Sequence, residues 1–194
     1  MSDNDIKIYK GSSKSVNISS AVMSTFEMMN FHRENGNLQK AKELGARLAT
    51  LSPTDDDARS GKGIDLISGL PQRFHSQDIM YQIKVLLVFA AETVLQSEIR
   101  DEILATTAIN AMHDKIREEM PVFFRNISSS AAFTFYCLAL KKRGDVTENI
   151  GEAFAMMCDV QKNTEGFVSA GQTVWEKAVN GLKSEILKVD FQRA

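Results

Sequence analysis

Cysteine is nearly absent: the 194 residues hold two, Cys137 and Cys158, in the apolar stretches FTFYCLAL and EAFAMMCDV. Neither belongs to a CxxC pair or stands beside a histidine, so nothing suggests a disulfide framework or a zinc ribbon. A thiol in such a setting behaves as a small hydrophobe, and both are expected to be free and buried. Proline is as scarce, with Pro53, Pro71 and Pro121 the only three, which leaves long stretches without a helix breaker. Long apolar runs are missing too. The longest, Val85 to Ala91, has seven residues between Lys84 and Glu92, far below the ~20 that span a bilayer. Charge of one sign is also lacking: 23 Lys and Arg against 25 Asp and Glu give a formal net charge of −2. A surface for nucleic acid or anionic membrane normally declares itself as a basic excess or stripe, so neither partner is expected. The opening MSDNDIKIYKGSSKS has no apolar secretory core, and a cytoplasmic protein is expected.

What is present is an ordinary globular composition, 43% hydrophobic and 25% charged, in a chain long enough to bury a sizeable core. Apolar residues recur at three-and-four spacing, the pattern of amphipathic helices, and strand alternation is missing. The expectation is an all-α protein of about eight helices in antiparallel hairpins. A flexible tail would cover 1–14 and a single helical domain 15–194. The first helix should start at Ser15 to Asn17, present Ile18, Val22, Phe26 and Met29, and stop at Gly36, a residue suited to the left-handed conformation that ends helices. A second carries Leu38, Ala41, Leu44, Leu48 and Leu51. Thr54 and Asp55 to Asp57 offer caps for a third, running to about Gly69 through Gly61 and Gly63, each of which weakens a helix interior. The fourth, Ile79 to Leu95, is apolar nearly all round and should be central. Ser97 would cap the fifth, with Ile99, Ile103, Leu104, Ala108, Met112 and Ile116 inward. Pro121 starts the sixth, which Ser128 to Ser130 would kink or split. A seventh spans about 147–161 and the last about 164–190.

Within the first hairpin, Gly36-Asn37-Leu38 forms a glycine turn followed by a large residue, Ala41 and Leu48 follow at packing positions, and Pro53 closes the unit. The segment Val22 to Asp55 thereby resembles a tetratricopeptide repeat, a 34-residue helix-turn-helix unit. It departs from the pattern at Met29 (a small residue in the family), His32 (an aromatic) and Gly45 (an aromatic). Phe133 to Asp159 echoes the unit around Arg143-Gly144-Asp145. The turn glycines, 36 and 144, are not spaced by a multiple of 34, so a regular array is not expected. The fold is then either tetratricopeptide-like or an irregular helical bundle. The resemblance implies stacked helical hairpins that bind a peptide or partner protein.

No catalytic or metal-binding set stands out. His32 beside Arg33 and Glu34 suits a helix C-terminus, and His75 falls in a loop. His113 has Arg117 at i+4, which rules out an HExxH zinc site. Asp55 to Asp57 lack the register of an EF-hand loop, and Ser60-Gly61-Lys62-Gly63 is not a phosphate loop. The nine methionines read as core filler. Lys84 and Glu92 interrupt the apolar fourth helix and should either reach solvent at its edges or find charged partners.

These features lead to a non-enzymatic adaptor or regulatory module that binds a protein or peptide, without metal or cofactor, and His32, Arg33, Arg59 and Lys62 would hold an acidic peptide. The alternative is a bundle that binds a small apolar ligand or forms a homodimer. Its cavity would be lined by Phe135, Tyr136 and Trp175, with Phe123, Phe124 and Phe133 nearby.

Overall fold

The computed structural model describes residues 18–158 and 164–192; the expected tail over 1–14 and the helix start at Ser15 to Asn17 lie outside them. Among the described residues nine α-helices follow one another: α1 Ile18–Glu34, α2 Asn37–Ala49, α3 Asp55–Arg59, α4 Gln77–Glu98, α5 Glu102–Glu119, α6 Pro121–Ser129, α7 Ala132–Lys141, α8 Val146–Met157 and α9 Thr164–Leu187. A single 3-10 turn, Gln72–His75, precedes α4. The fold is all-α, and the one extended pairing among the described residues is an isolated bridge between Ser52 and Gly63.

Local chemistry accounts for most helix ends. Gly36 takes φ +78° between α1 and α2, and Pro121 sits in the first turn of α6, where its missing N–H is not needed. Asp101 and Asp145 cap α5 and α8 through their carboxylates, the usual way to satisfy orphan N–H groups. Two expectations need correction. The third helix stops after five residues at Arg59, because Gly61 turns at φ +74° and Ser52 then pairs with both Lys62 and Ile64 through the backbone. Ser97 does not cap α5: α4 runs through it to Glu98, its hydroxyl donates to the Val94 carbonyl, and the cap falls to Asp101. The serine run does divide the sixth helix, as expected, since Ser130 adopts an extended ψ of 152°, which brings the described helices to nine.

Packing arranges the helices as a series of neighbours, with α2 against α5, α5 against α4, α4 against α9, α9 against α8 and α8 against α7. The apolar α4 is buried from Val85 to Ala91 without interruption and so forms the centre, as its composition foretold. Although α1 and α2 share a tight connection, α2 packs far more extensively on α5 than on α1. Gly45 makes that approach possible: a Cβ there would lie 2.0 Å from the Ala108 carbonyl oxygen.

The aromatics do not ring one cavity. Tyr136 and Trp175 pack on Phe89, with ring centroids 5.2 and 6.2 Å away, and Phe133 stands edge-on to Phe89 at 5.6 Å. Phe123 instead pairs with Tyr81, and Phe124 with His113; Phe135 is half-buried. The Tyr136 hydroxyl is buried without a hydrogen-bond partner among the described residues. Burial, followed by the nearby Cys158, raises its pKa well above the ordinary phenol value, so the ring stays neutral. The cysteines are free, but Cys137 is exposed and Cys158 half-buried rather than both enclosed; burial pushes the Cys158 thiol up to about 12.

Candidate functional site

The four residues expected to hold an acidic peptide do not come together. His32 is 2% exposed and is part of the interior hydrogen bonding: Nε2 lies 2.8 Å from Asp101 Oδ2 and Nδ1 3.1 Å from Asn37 Nδ2. Asp101 Oδ1 meanwhile accepts from the amides of Ile103 and Leu104. Arg33 is exposed and, among the described residues, reaches only Asn30 on its own helix, at 3.4 Å. Arg59 and Lys62 are exposed on the α3 turn, past the far end of α2, whose 13 residues span about 20 Å. Beside them Asp57 is held below the ordinary carboxylate range by the hydroxyls of Ser52 and Thr54 first, and then by the charge of Lys62. The expected basic face is therefore split, and its histidine is structural.

Two clefts stand out among the described residues. The more enclosed, ≈ 320 Å³, lies where α4, α5, α6 and the start of α7 meet and is lined by Glu92, His113, Phe124, Ile127, Ser128, Ser130, Phe133 and Thr134. Of the aromatics expected around a ligand cavity, Phe124 and Phe133 line this cleft, whereas Tyr136 and Trp175 line neither cleft. Glu92 projects from the middle of α4 and meets His113 of α5, with Oε1 and Nε2 2.7 Å apart and both side chains partly exposed. This resolves the charge that interrupts α4, since a half-buried carboxylate needs such a partner. Lys84, two turns earlier, is handled differently: its Nζ lies 5.3 Å from the Phe123 ring centroid and touches Met120 Sδ, and burial pulls its pKa below the ordinary value.

The rest of the cleft follows from the break between α6 and α7. Ser128 Oγ donates to the Phe124 carbonyl at 2.8 Å and Ser130 Oγ to the Ile127 carbonyl at 3.1 Å. The serine protons are thus committed to backbone carbonyls and not to the imidazole, so neither hydroxyl is activated as a nucleophile would be. Phe124, Ile127 and Phe133 give the cleft an apolar wall. Arg117 stacks over Phe124 at 4.7 Å and is paired with Asp114 at 2.9 Å. Among the described residues no three His, Cys, Asp or Glu side chains gather as a metal site would require.

The second cleft, ≈ 700 Å³ and more open, runs between α1 and the start of α5, lined by Thr25, Met28, Met29, Arg100, Asp101, Glu102, Ile103, Thr106 and Thr107. Met29 of this lining is 39% exposed and Phe26, one turn earlier on α1, 62%, so these positions are not the core filler and inward face that the sequence suggested. Among the described residues no helix is long and apolar enough to cross a membrane.

The signal for the first cleft was a lone carboxylate in an apolar helix followed, after a short connection, by a histidine on the next one; nothing local said that they meet. No family model matches the chain, and no curated protein and no solved structure matches it either.

Proposed function

We propose that the protein is a non-enzymatic helical binding module that holds a small molecule with an apolar body in the cleft between α4 and α7. The observation that carries this reading is the combination of an aromatic wall, Phe124 and Phe133, with a few convergent polar groups, Glu92, His113 and the serine oxygens, the usual make-up of small-molecule sites. Binding rather than turnover is favoured by the serine protons, which are spent on helix carbonyls. The reading is tested by following backbone amide shifts of the isotope-labelled chain against a library of small aromatic fragments. Saturable shifts concentrated at residues 92, 113 and 127–134 are expected; fragments that bind only elsewhere, or not at all, would reject it.

A second reading, a protein- or peptide-binding adaptor, is favoured by exposed Met29, which lines the α1–α5 groove, and by exposed Phe26 one helical turn before it on α1. The groove's charges, Arg100 against Asp101 and Glu102, are acidic on balance, so the occupant it suits is a basic amphipathic helix rather than an acidic peptide. A synthetic helical peptide of leucine and lysine should bind the wild type and lose at least about tenfold in affinity with Phe26→Glu and Met29→Glu combined, as expected when apolar anchors are removed. Unchanged affinity would sink this reading.

A further inference from the structure

The small-molecule reading of the α4–α7 cleft, on which this inference rests, can be carried further by asking where the protons around it are. A carbonyl oxygen only accepts, so Ser128 and Ser130, at 2.8 and 3.1 Å from the carbonyls of Phe124 and Ile127, must point their protons back at the backbone. Each serine oxygen keeps lone pairs, and that of Ser130 already accepts weakly from the Ala132 amide at 3.4 Å. Glu92 can only accept while ionised. Its Oε1 receives the His113 Nε2 proton at 2.7 Å, and among the described residues no protein donor is bonded to Oε2. In the tautomer of His113 that carries its one proton on Nε2, Nδ1 offers a further lone pair. Among the described residues the Thr134 hydroxyl has no bonded partner and can take either role. The lining holds one carboxylate and no lysine or arginine, and the neighbouring Arg117 is neutralised by Asp114. The cleft is therefore a collection of acceptors beside two aromatic rings.

We propose that this cleft takes a small organic cation: a primary or secondary ammonium carried on a ring-sized apolar body. The ammonium is placed at Glu92 and the serine oxygens and the body against Phe124 and Phe133. An ammonium brings only donors, so it fills acceptors without leaving any of its own groups unmatched. Aromatic faces attract a cation through their quadrupole. A carboxylate ligand would meet Glu92 and unshared lone pairs, and an alcohol could satisfy only one acceptor. The volume, ≈ 320 Å³, is at the lower end of the range for small-molecule sites, about 300–1,000 Å³, which suits one ring and a short chain.

The test uses the full chain and three probes of similar size, 2-phenylethylammonium, 2-phenylethanol and phenylacetate, titrated while the amides of residues 92, 113 and 127–134 are observed. The ammonium should bind about tenfold more tightly than the alcohol, because its full positive charge adds Coulomb attraction to Glu92 that a neutral hydroxyl lacks, and the carboxylate should not saturate. In Glu92→Gln that advantage should shrink to about twofold or less. Should that variant fail to fold, the wild-type series decides alone. Alcohol or carboxylate binding at these residues as tight as the ammonium overturns the cation assignment and leaves the site standing. If no probe moves these residues, the site falls and the assignment falls with it.

Discussion

Replacing Gly45 by alanine is expected to destabilise the protein by about 3 kcal/mol or more, because overpacking of this kind has no side-chain escape. The added methyl would sit 2.0 Å from the Ala108 carbonyl oxygen, 2.9 Å from its carbon and 3.0 Å from the Met112 amide nitrogen. All three are main-chain atoms of α5, so no rotamer change relieves the contact; α2 has to move away from its main partner. Ala41, Leu44 and Leu48 on α2, and Ala108 and Met112 on α5, are each 4% exposed or less, and a shift would open gaps among them. Intrinsic propensity argues the other way, since alanine improves on glycine in a helix interior by about 1 kcal/mol. The two effects differ in sign, which makes the outcome decisive. Thermal unfolding should show a fall of at least about 6 °C at this chain length. A rise in Tm would mean that propensity governs the position and that the α2–α5 contact is looser than described. Gln39→Ala, on the same helix with its exposed amide nitrogen bonded to Glu43 at 2.9 Å, should shift Tm by no more than ~2 °C, as surface changes do.

Gly45 also illustrates how far the sequence could be read. The tetratricopeptide pattern places an aromatic there, and the departure has a physical reason that local pattern does not contain: another helix's backbone occupies the space. Features set within one helix were legible. The apolar circumference of α4 marked it as central, Gly36 and Pro121 marked helix ends, and the serines marked the division of α6 from α7. Where two local signals competed, the reading failed. Ser97 and Asp101 are both good caps, and the choice depended on how far α4 extended. The acidic run at Asp55 promised a long helix, but the backbone pairing of Ser52 with Lys62 and Ile64 ended it early. Contacts between distant residues were not legible at all. His32 looked like a helix-terminal cation because its partners, Asp101 and Asn37, are recognised only once α5 lies alongside. Glu92 and His113 were each noticed singly and not as a pair.

The buried hydrogen-bond chain through His32 leads to the other large expected effect, a loss of about 2–3 kcal/mol in Asn37→Ala, at roughly 1 kcal/mol for each bond removed. Asn37 is fully buried and its amide grips the backbone of Gln192 at both ends, Nδ2 donating to the carbonyl at 2.7 Å and Oδ1 accepting from the amide at 3.0 Å. That double contact fixes which end of the Asn37 side chain is nitrogen. Nδ2 therefore donates to His32 Nδ1, and Nε2 of the same ring must carry the proton given to Asp101. One asparagine thus sets the histidine tautomer, supports the cap of α5 and fastens the C-terminal segment to the start of α2. Lys40 reinforces the fastening by donating to the Asp190 carbonyl at 2.6 Å. Because the bonds share one side chain, their losses should not be additive with removal of their partners. Truncation after Asp190 takes away Gln192 and keeps the Lys40 contact. In that shorter chain Asn37→Ala should lose only about 1 kcal/mol, the remainder due to His32. Denaturant unfolding of the four chains, wild type, each single change and the combination, gives the coupling directly. If the two changes simply add, Asn37 acts through its own burial and the C-terminal segment is not held by it.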